Sequence, residues 1–160
     1  MDEPNDAKPY SASLLLKDKL YQEEMESIIN QFKPALRKKL RRFSTWSGAS
    51  IDGMRRYAIA INNQQFLVDM YEENGKLDCE YCGKKDLKLY KFPERTGRFT
   101  AKDFGSKFDK RNGATCDHKQ PTSKGGDKFD YSNLAVCCSP CNTKKADISW
   151  DDWKLIMDSE

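Results

Sequence analysis

The hydrophobic rhythm of the chain changes near residue 75. Before that point apolar side chains recur every three to four positions. Leu14, Tyr21, Met25, Ile28 and Phe32 fall on one stripe about 100° wide, which predicts a helix from a cap at Ser11 or Ser13 to about Phe32. Pro34 marks a restart, and Leu36, Leu40 and Phe43 predict a short second helix. The opposite face of that helix carries Arg37, Lys38, Lys39, Arg41 and Arg42, a cluster that suits phosphates or plain solvation. Residues 44–50 read as a loop. A third helix is expected from about Ile51 to Tyr71, ending at the helix stop Asn74-Gly75. Residues 1–10 are polar and aperiodic, and read as disordered.

Beyond Gly75 long amphipathic stretches give way to short segments, turns and cysteines. Leu87 to Phe92 alternates as a strand does. Residues 93–113 have no clear period, and they interleave Phe99, Phe104 and Phe108 with basic residues. A long irregular stretch of this kind is usually functional or mobile. Leu134-Ala-Val136 reads as a short strand, and Pro140 to Lys145 as a turn entering a helix. Ser149-Trp-Asp-Asp152 is a near capping box that opens a closing helix, with Trp150, Trp153 and Ile156 or Met157 packing back on the core. The division near residue 75 predicts a helical N-terminal region, 1–75, and a second domain, 76–160.

Composition narrows the class. The 160 residues include 33% charged and 38% hydrophobic side chains, and apolar runs such as Tyr57 to Ile61 are far shorter than the roughly 20 residues of a membrane span. The acidic N-terminus lacks the apolar core of a secretory signal, so a cytoplasmic protein without a membrane partner is expected. Net charge is only +3, but its distribution is uneven. Residues 1–75 hold 11 basic and 11 acidic side chains, whereas residues 84–128 hold 13 basic against 6 acidic. A polyanion would feel that local excess, and the candidate contacts are Arg95, Arg98, Lys102, Lys107, Lys110, Arg111, Lys119, Lys124 and Lys144.

Four of the six cysteines form two C-x-x-C pairs, Cys79-Glu-Tyr-Cys82 and Cys138-Ser-Pro-Cys141. Two cysteines three apart across a tight turn can aim both sulfurs at one tetrahedral ion. Two such knuckles complete a structural zinc shell. Gly83 fits the turn of the first knuckle. Cys116 and Cys137 are left over, and only Cys138 gives the x-x spacing to Cys141.

Between the knuckles lies the chemistry. Asp117-His118 sets a carboxylate beside the chain's single imidazole. If the knuckles fix the Pro140–Lys145 helix against the strand bearing His118, Asp117 and Asn142 can reach one ion. One charged and one neutral oxygen ligand leave most of a hard cation's shell for water and phosphate, as magnesium is usually held. A histidine beside such an ion can serve as general base for water. Lys144 and Lys145 would bring positive charge to phosphates.

This stretch resembles the HNH endonuclease family, whose active site is a ββα-metal unit. The pattern is Asp117-His118, Pro121, Gly125-Gly126, Asn133-Leu134, Cys138, Cys141-Asn142 and Lys145, with Asn133 15 and Asn142 24 residues after His118. The resemblance covers about residues 77–147 and leaves residues 1–75 unaddressed. It implies an α+β fold, with a ββα-metal nuclease core stapled by a four-cysteine zinc site and preceded by the helical region. His118 would be the general base, Asp117 and Asn142 ligands of magnesium or manganese, and Asn133 the middle residue that braces the loop and orients the base. Lys145 would contact phosphate. Asn142 stands where histidine is common, and asparagine at that position occurs in the family's H-N-N members. The 36-residue step from Cys82 to His118 suggests that 93–113 is an insertion.

The implied activity is hydrolysis of DNA to 5′-phosphate and 3′-hydroxyl ends. A zinc-stabilised, non-catalytic nucleic-acid-binding module and an RNA-directed nuclease remain as alternatives. The N-terminal helices could join two copies.

Overall fold

A computed structural model describes residues 12–47, 50–90 and 108–159 of the chain. The expected disorder of 1–10, and Arg95, Arg98, Phe99, Lys102, Phe104 and Lys107, lie outside these residues. Three helices come first: α1 (Ala12–Ile29), α2 (Pro34–Ser47) and α3 (Ile51–Asn74). A two-stranded antiparallel sheet follows, made of β1 (Ala114–His118) and β2 (Leu134–Cys138). The helices α4 (Ser139–Lys145) and α5 (Trp150–Asp158) complete the order among the described residues. The fold is thus mixed helix and sheet, with a helical N-terminal region.

The chain divides into two compact units, Met1–Arg55 and Arg56–Glu160. In the first, Met25, Ile28, Ile29, Phe32, Leu36, Leu40 and Met54 are buried, in accord with the apolar stripes of α1 and α2. Helix α1 stops at Ile29, three residues before the expected end. The chain tightens there through Gln31 N–H to Ile28 O and Phe32 N–H to Ile29 O, because Lys33 precedes a proline and is steered away from helical geometry. Arg41 then grips Glu26 with two bonds of 2.7 and 3.1 Å on the exposed face.

Two expectations about local structure are corrected. Residues 44–47 continue α2 rather than opening a loop, and Ser44 bonds back to the Arg41 carbonyl at 2.8 Å. Nothing in Ser-Thr-Trp-Ser forbids helix, so an established helix propagates through it. Residues 87–90 are not a strand either. Lys88 makes one isolated bridge to Gly113, with Lys88 N–H to Asn112 O at 2.7 Å and Ala114 N–H to Lys88 O at 2.8 Å. The short 3-10 turn Lys110–Asn112 lies directly before that contact and ends the pairing.

In the second unit the core gathers Phe66 and Leu67 of α3, Leu77, Cys79 and Leu87 of the following loop, Ala114 of β1, and four residues of β2. All five β2 residues are buried, which explains why Leu134 to Cys138 reads as an unbroken apolar run. The register pairs Ala114 with Cys138 and His118 with Leu134, so the sheet carries one knuckle at one end and the histidine at the other. Ser50 caps α3 through a 3.0 Å bond from Gly53 N–H, and Ser149 caps α5 through Asp152 N–H. Trp153 of α5 is buried as expected.

Candidate functional site

The cysteine cluster is built from local turns. Gly83, at φ +81°, lets its N–H reach Cys79 O at 2.9 Å, while Cys82 N–H points at Cys79 Sγ at 3.4 Å. The second pair sits where β2 becomes α4, with Cys138 as N-cap and Cys141 in the first turn. The sulfurs of Cys79, Cys82, Cys138 and Cys141 all lie within 4.8 Å of one another. This donor set fits one tetrahedral ion that prefers thiolate. Burial, with the neighbouring sulfurs alongside, pushes the Cys141 thiol up, a cost that a bound cation reverses. Cys137 is outside the cluster. It is buried opposite Thr115, whose hydroxyl lies 3.2 Å from its sulfur, and Cys116 pairs with Val136.

Successive side chains on a strand leave opposite faces, so Asp117 and His118 are directed apart. Asp117 and Thr115 share the face that α4 covers. Asn142 donates from Nδ2 to Thr115 Oγ1 at 3.1 Å, and Lys145 Nζ lies 3.0 Å from Asp117 Oδ2. Tyr81, inside the first knuckle, donates its hydroxyl to the same Oδ2 at 2.7 Å. Among the described residues neither the second oxygen of Asp117 nor the amide oxygen of Asn142 takes a hydrogen bond, so one anionic and one neutral oxygen remain as donors. That set suits a hard divalent cation.

Lys145 is the one expected site residue that the geometry redirects. It is 0% exposed, and its ammonium donates to His118 O at 2.9 Å as well as facing Asp117. A phosphate contact from Lys145 does not fit, because a buried ammonium held by two oxygens cannot reach solvent without breaking both bonds. Its role is internal: it neutralises Asp117 and holds the end of β1.

His118 turns to the other side. Its Nε2 lies 2.9 Å from the Lys128 carbonyl. A carbonyl oxygen only accepts, so Nε2 carries the proton and Nδ1 is left with a lone pair. The loop that supplies this carbonyl is tightly braced. Asn133 accepts from Gln120 N–H at 2.9 Å through Oδ1, and donates from Nδ2 to Gln120 O at 3.1 Å and Asp127 O at 2.8 Å. Asp127 Oδ1 accepts the N–H groups of Phe129 and Asp130 at 2.8 and 2.7 Å. These two N–H bonds hold the Asp127 carboxyl below its ordinary range.

The expected basic contacts divide. Lys110, Arg111 and Lys144 line one groove of about 450 Å³ with Ser139, Pro140 and Thr143. Lys119 lies over the Trp150 ring, 5.8 Å from its centroid, and Lys124 is exposed on a turn. Sequence reasoning missed Tyr81, the Lys128 carbonyl and Asp127. Tyr81 had no signal beyond sitting in a knuckle, and a backbone acceptor has none at all.

A histidine of fixed tautomer, a carboxylate and an amide lie on one strand–strand–helix unit, with the cysteine cluster at its end. Residues 105–147 match the family model for HNH endonuclease. The HNH segment holds Asp117, His118, Asn133, Asn142, Cys138 and Cys141, and the first knuckle lies outside it. HNH nucleases are metal-dependent and act on nucleic acids, so the match points to nuclease activity in general terms. No curated protein and no solved structure matches the chain. Among the described residues no helix is long and apolar enough to cross a membrane.

Proposed function

We propose that the chain is an endonuclease that hydrolyses phosphodiester bonds in DNA, leaving 5′-phosphate and 3′-hydroxyl ends. The observation that carries this reading is His118, whose Nε2 is committed to the Lys128 carbonyl and whose Nδ1 is thereby a proton acceptor. Nδ1 takes a proton from water as its oxygen attacks phosphorus, the bond from phosphorus to the 3′ oxygen breaks, and the departing 3′ oxygen takes up a proton from solvent to leave the 3′-hydroxyl. Asn133 keeps the loop that bears Lys128 in place, and so keeps the imidazole aimed. Asp117 and Asn142 would hold magnesium or manganese. When bound, such an ion supplies positive charge at the phosphate oxygens, where negative charge grows in the transition state. Lys145 holds the Asp117 carboxylate in a single orientation from inside the fold. Zinc is assigned to the four cysteines as a structural ion. Lys110, Arg111 and Lys144 would follow the backbone of the substrate away from the scissile bond.

Supercoiled plasmid incubated with wild type and with His118→Ala, in magnesium and in chelator, tests the reading. Cleavage by wild type in magnesium should fall about 10²–10⁴-fold in the variant, the usual contribution of a general base. Equal nicking by both proteins would remove His118 from its role. Binding without cleavage of either DNA or RNA would favour the non-catalytic module, and cleavage confined to RNA would move the substrate.

A further inference from the structure

We infer that α3, which lies wholly outside the HNH segment, supplies positioning residues for His118. Asn62 and Asp69 are seven residues apart on α3, two helical turns, and therefore share a face. Both are used on the same loop. Asn62 is a buried polar residue, 6% exposed, and its Nδ2 donates to Phe129 O at 3.0 Å. Asp69 accepts the Tyr131 hydroxyl on Oδ2 at 2.6 Å, and Gln65 Nε2 on Oδ1 at 2.8 Å holds that carboxylate in place. The Tyr131 ring also meets Phe66 edge to face, with centroids 5.0 Å apart.

These anchors bracket the acceptor that orients the imidazole. Lys128, whose carbonyl accepts the hydrogen bond from His118 Nε2–H, directly precedes Phe129 and lies three residues before Tyr131. Asp127 and Asn133 brace the loop from within, but both are themselves parts of it. An outside reference is needed to fix where the loop stands relative to β1. Asn62 and Asp69 provide it, because α3 contributes Phe66 and Leu67 to the core that also holds Leu134 and Val136 of β2. A small shift of Phe129 moves the Lys128 carbonyl with it, and the imidazole loses its fixed direction. Misplacement of a reacting group by about 1 Å costs on the order of 10² in rate.

His118 is the only histidine in the chain, so nitrogen-15 resonances of the imidazole report on it without ambiguity. The test compares the full-length wild type with Asn62→Leu, which keeps size and removes the donor, and Tyr131→Phe, which keeps the ring against Phe66. At alkaline pH the wild type should show one tautomer, with an Nε2 proton protected from exchange with water. Both variants should lose that protected proton while retaining their bound metal and folded spectra. The activity arm rests on the nuclease reading. There kcat should fall on the order of 10²-fold with KM unchanged. A folded variant that keeps the protected Nε2 proton would overturn the inference, even if its melting temperature drops. If Asn62→Leu does not fold, Tyr131→Phe decides alone. If the wild type cleaves nothing, the nuclease reading fails, and the imidazole signal still decides this one.

Discussion

Replacing Lys145 by methionine isolates the buried pair beneath the site. Methionine keeps an unbranched, apolar side chain at a position with no exposed surface, and removes the ammonium together with its contacts to Asp117 and to His118 O. The two charges stand 3.0 Å apart, with side chains 0% and 10% exposed. At an effective dielectric constant of about 20, such a pair interacts by about 5 kcal/mol. Part of the loss is offset, since Tyr81 still donates to Asp117 Oδ2. Removing one partner of a buried pair typically costs about 3–5 kcal/mol, and the retained hydroxyl places this case near about 3. For a unit the size of Arg56–Glu160 that corresponds to a melting temperature lower by about 10–20 °C.

The sign of a second substitution separates this account from simple loss of packing. Adding Asp117→Asn to Lys145→Met removes the stranded charge and leaves an acceptor for Tyr81. The double variant should therefore be more stable than Lys145→Met alone, although it lacks one more native group. Thermal melts at fixed, saturating zinc measure both steps, since a bound metal shifts apparent stability. Lys145→Met melting with wild type, or a double variant less stable than the single, would refute the electrostatic coupling of this pair.

Other outcomes are checked with simpler measurements. Purified protein should carry about one tightly bound zinc by elemental analysis, and Cys141→Ser should lose it together with cooperative melting; a folded, zinc-free wild type would contradict the thiolate assignment. Gly126→Ala should be strongly destabilised, because a Cβ there would meet Gln120 O at 1.8 Å, a backbone atom that cannot step aside; a melting temperature equal to wild type would show that the loop tolerates the clash. Asp127 has a carboxyl held below the ordinary aspartate value of 3.8 by two N–H donors, so its stabilising contribution is complete above 3.8 and fades as pH falls through its lowered value. The melting-temperature gap between wild type and Asp127→Asn should accordingly be present at neutral pH and close in acid. A gap of constant size would mean that the carboxylate charge is not what holds Phe129 and Asp130.

What the sequence makes legible follows from how local each device is. The knuckles are set by spacing and by a glycine at positive φ, so Cys79, Cys82, Cys138 and Cys141 can be grouped without any tertiary knowledge. The same holds for Ser149, whose cap needs only Asp152 three residues on. Helix ends are less readable, because α2 continues through Ser44–Ser47, residues with no strong preference of their own. Leu87 to Tyr90 alternates like a strand, but alternation names a pattern and not a partner. Among the described residues its pairing is the single bridge from Lys88 to Gly113, which is too little to make a strand.

Lys145 shows a different limit. A lysine after a knuckle, near an Asp-His pair, reads as a cation for phosphate, since lysine is almost never fully buried unless paired. The pairing partner is visible in the sequence as Asp117, but its face on β1 is not. Strand alternation places Asp117 under α4 and His118 away from it, so consecutive residues enter different surroundings: one a buried ion pair, the other a loop carbonyl. That division also separates two requirements of the chemistry. The carboxylate needs a rigid charge environment, which Lys145 and Tyr81 provide from within the core. The imidazole needs a defined tautomer and access to water, and a braced loop at the surface supplies both. On the proposed nuclease reading, the base is lost when the loop shifts while Asp117 keeps its contacts, and that is why Asn62 and Lys145 should give different signatures when each is changed.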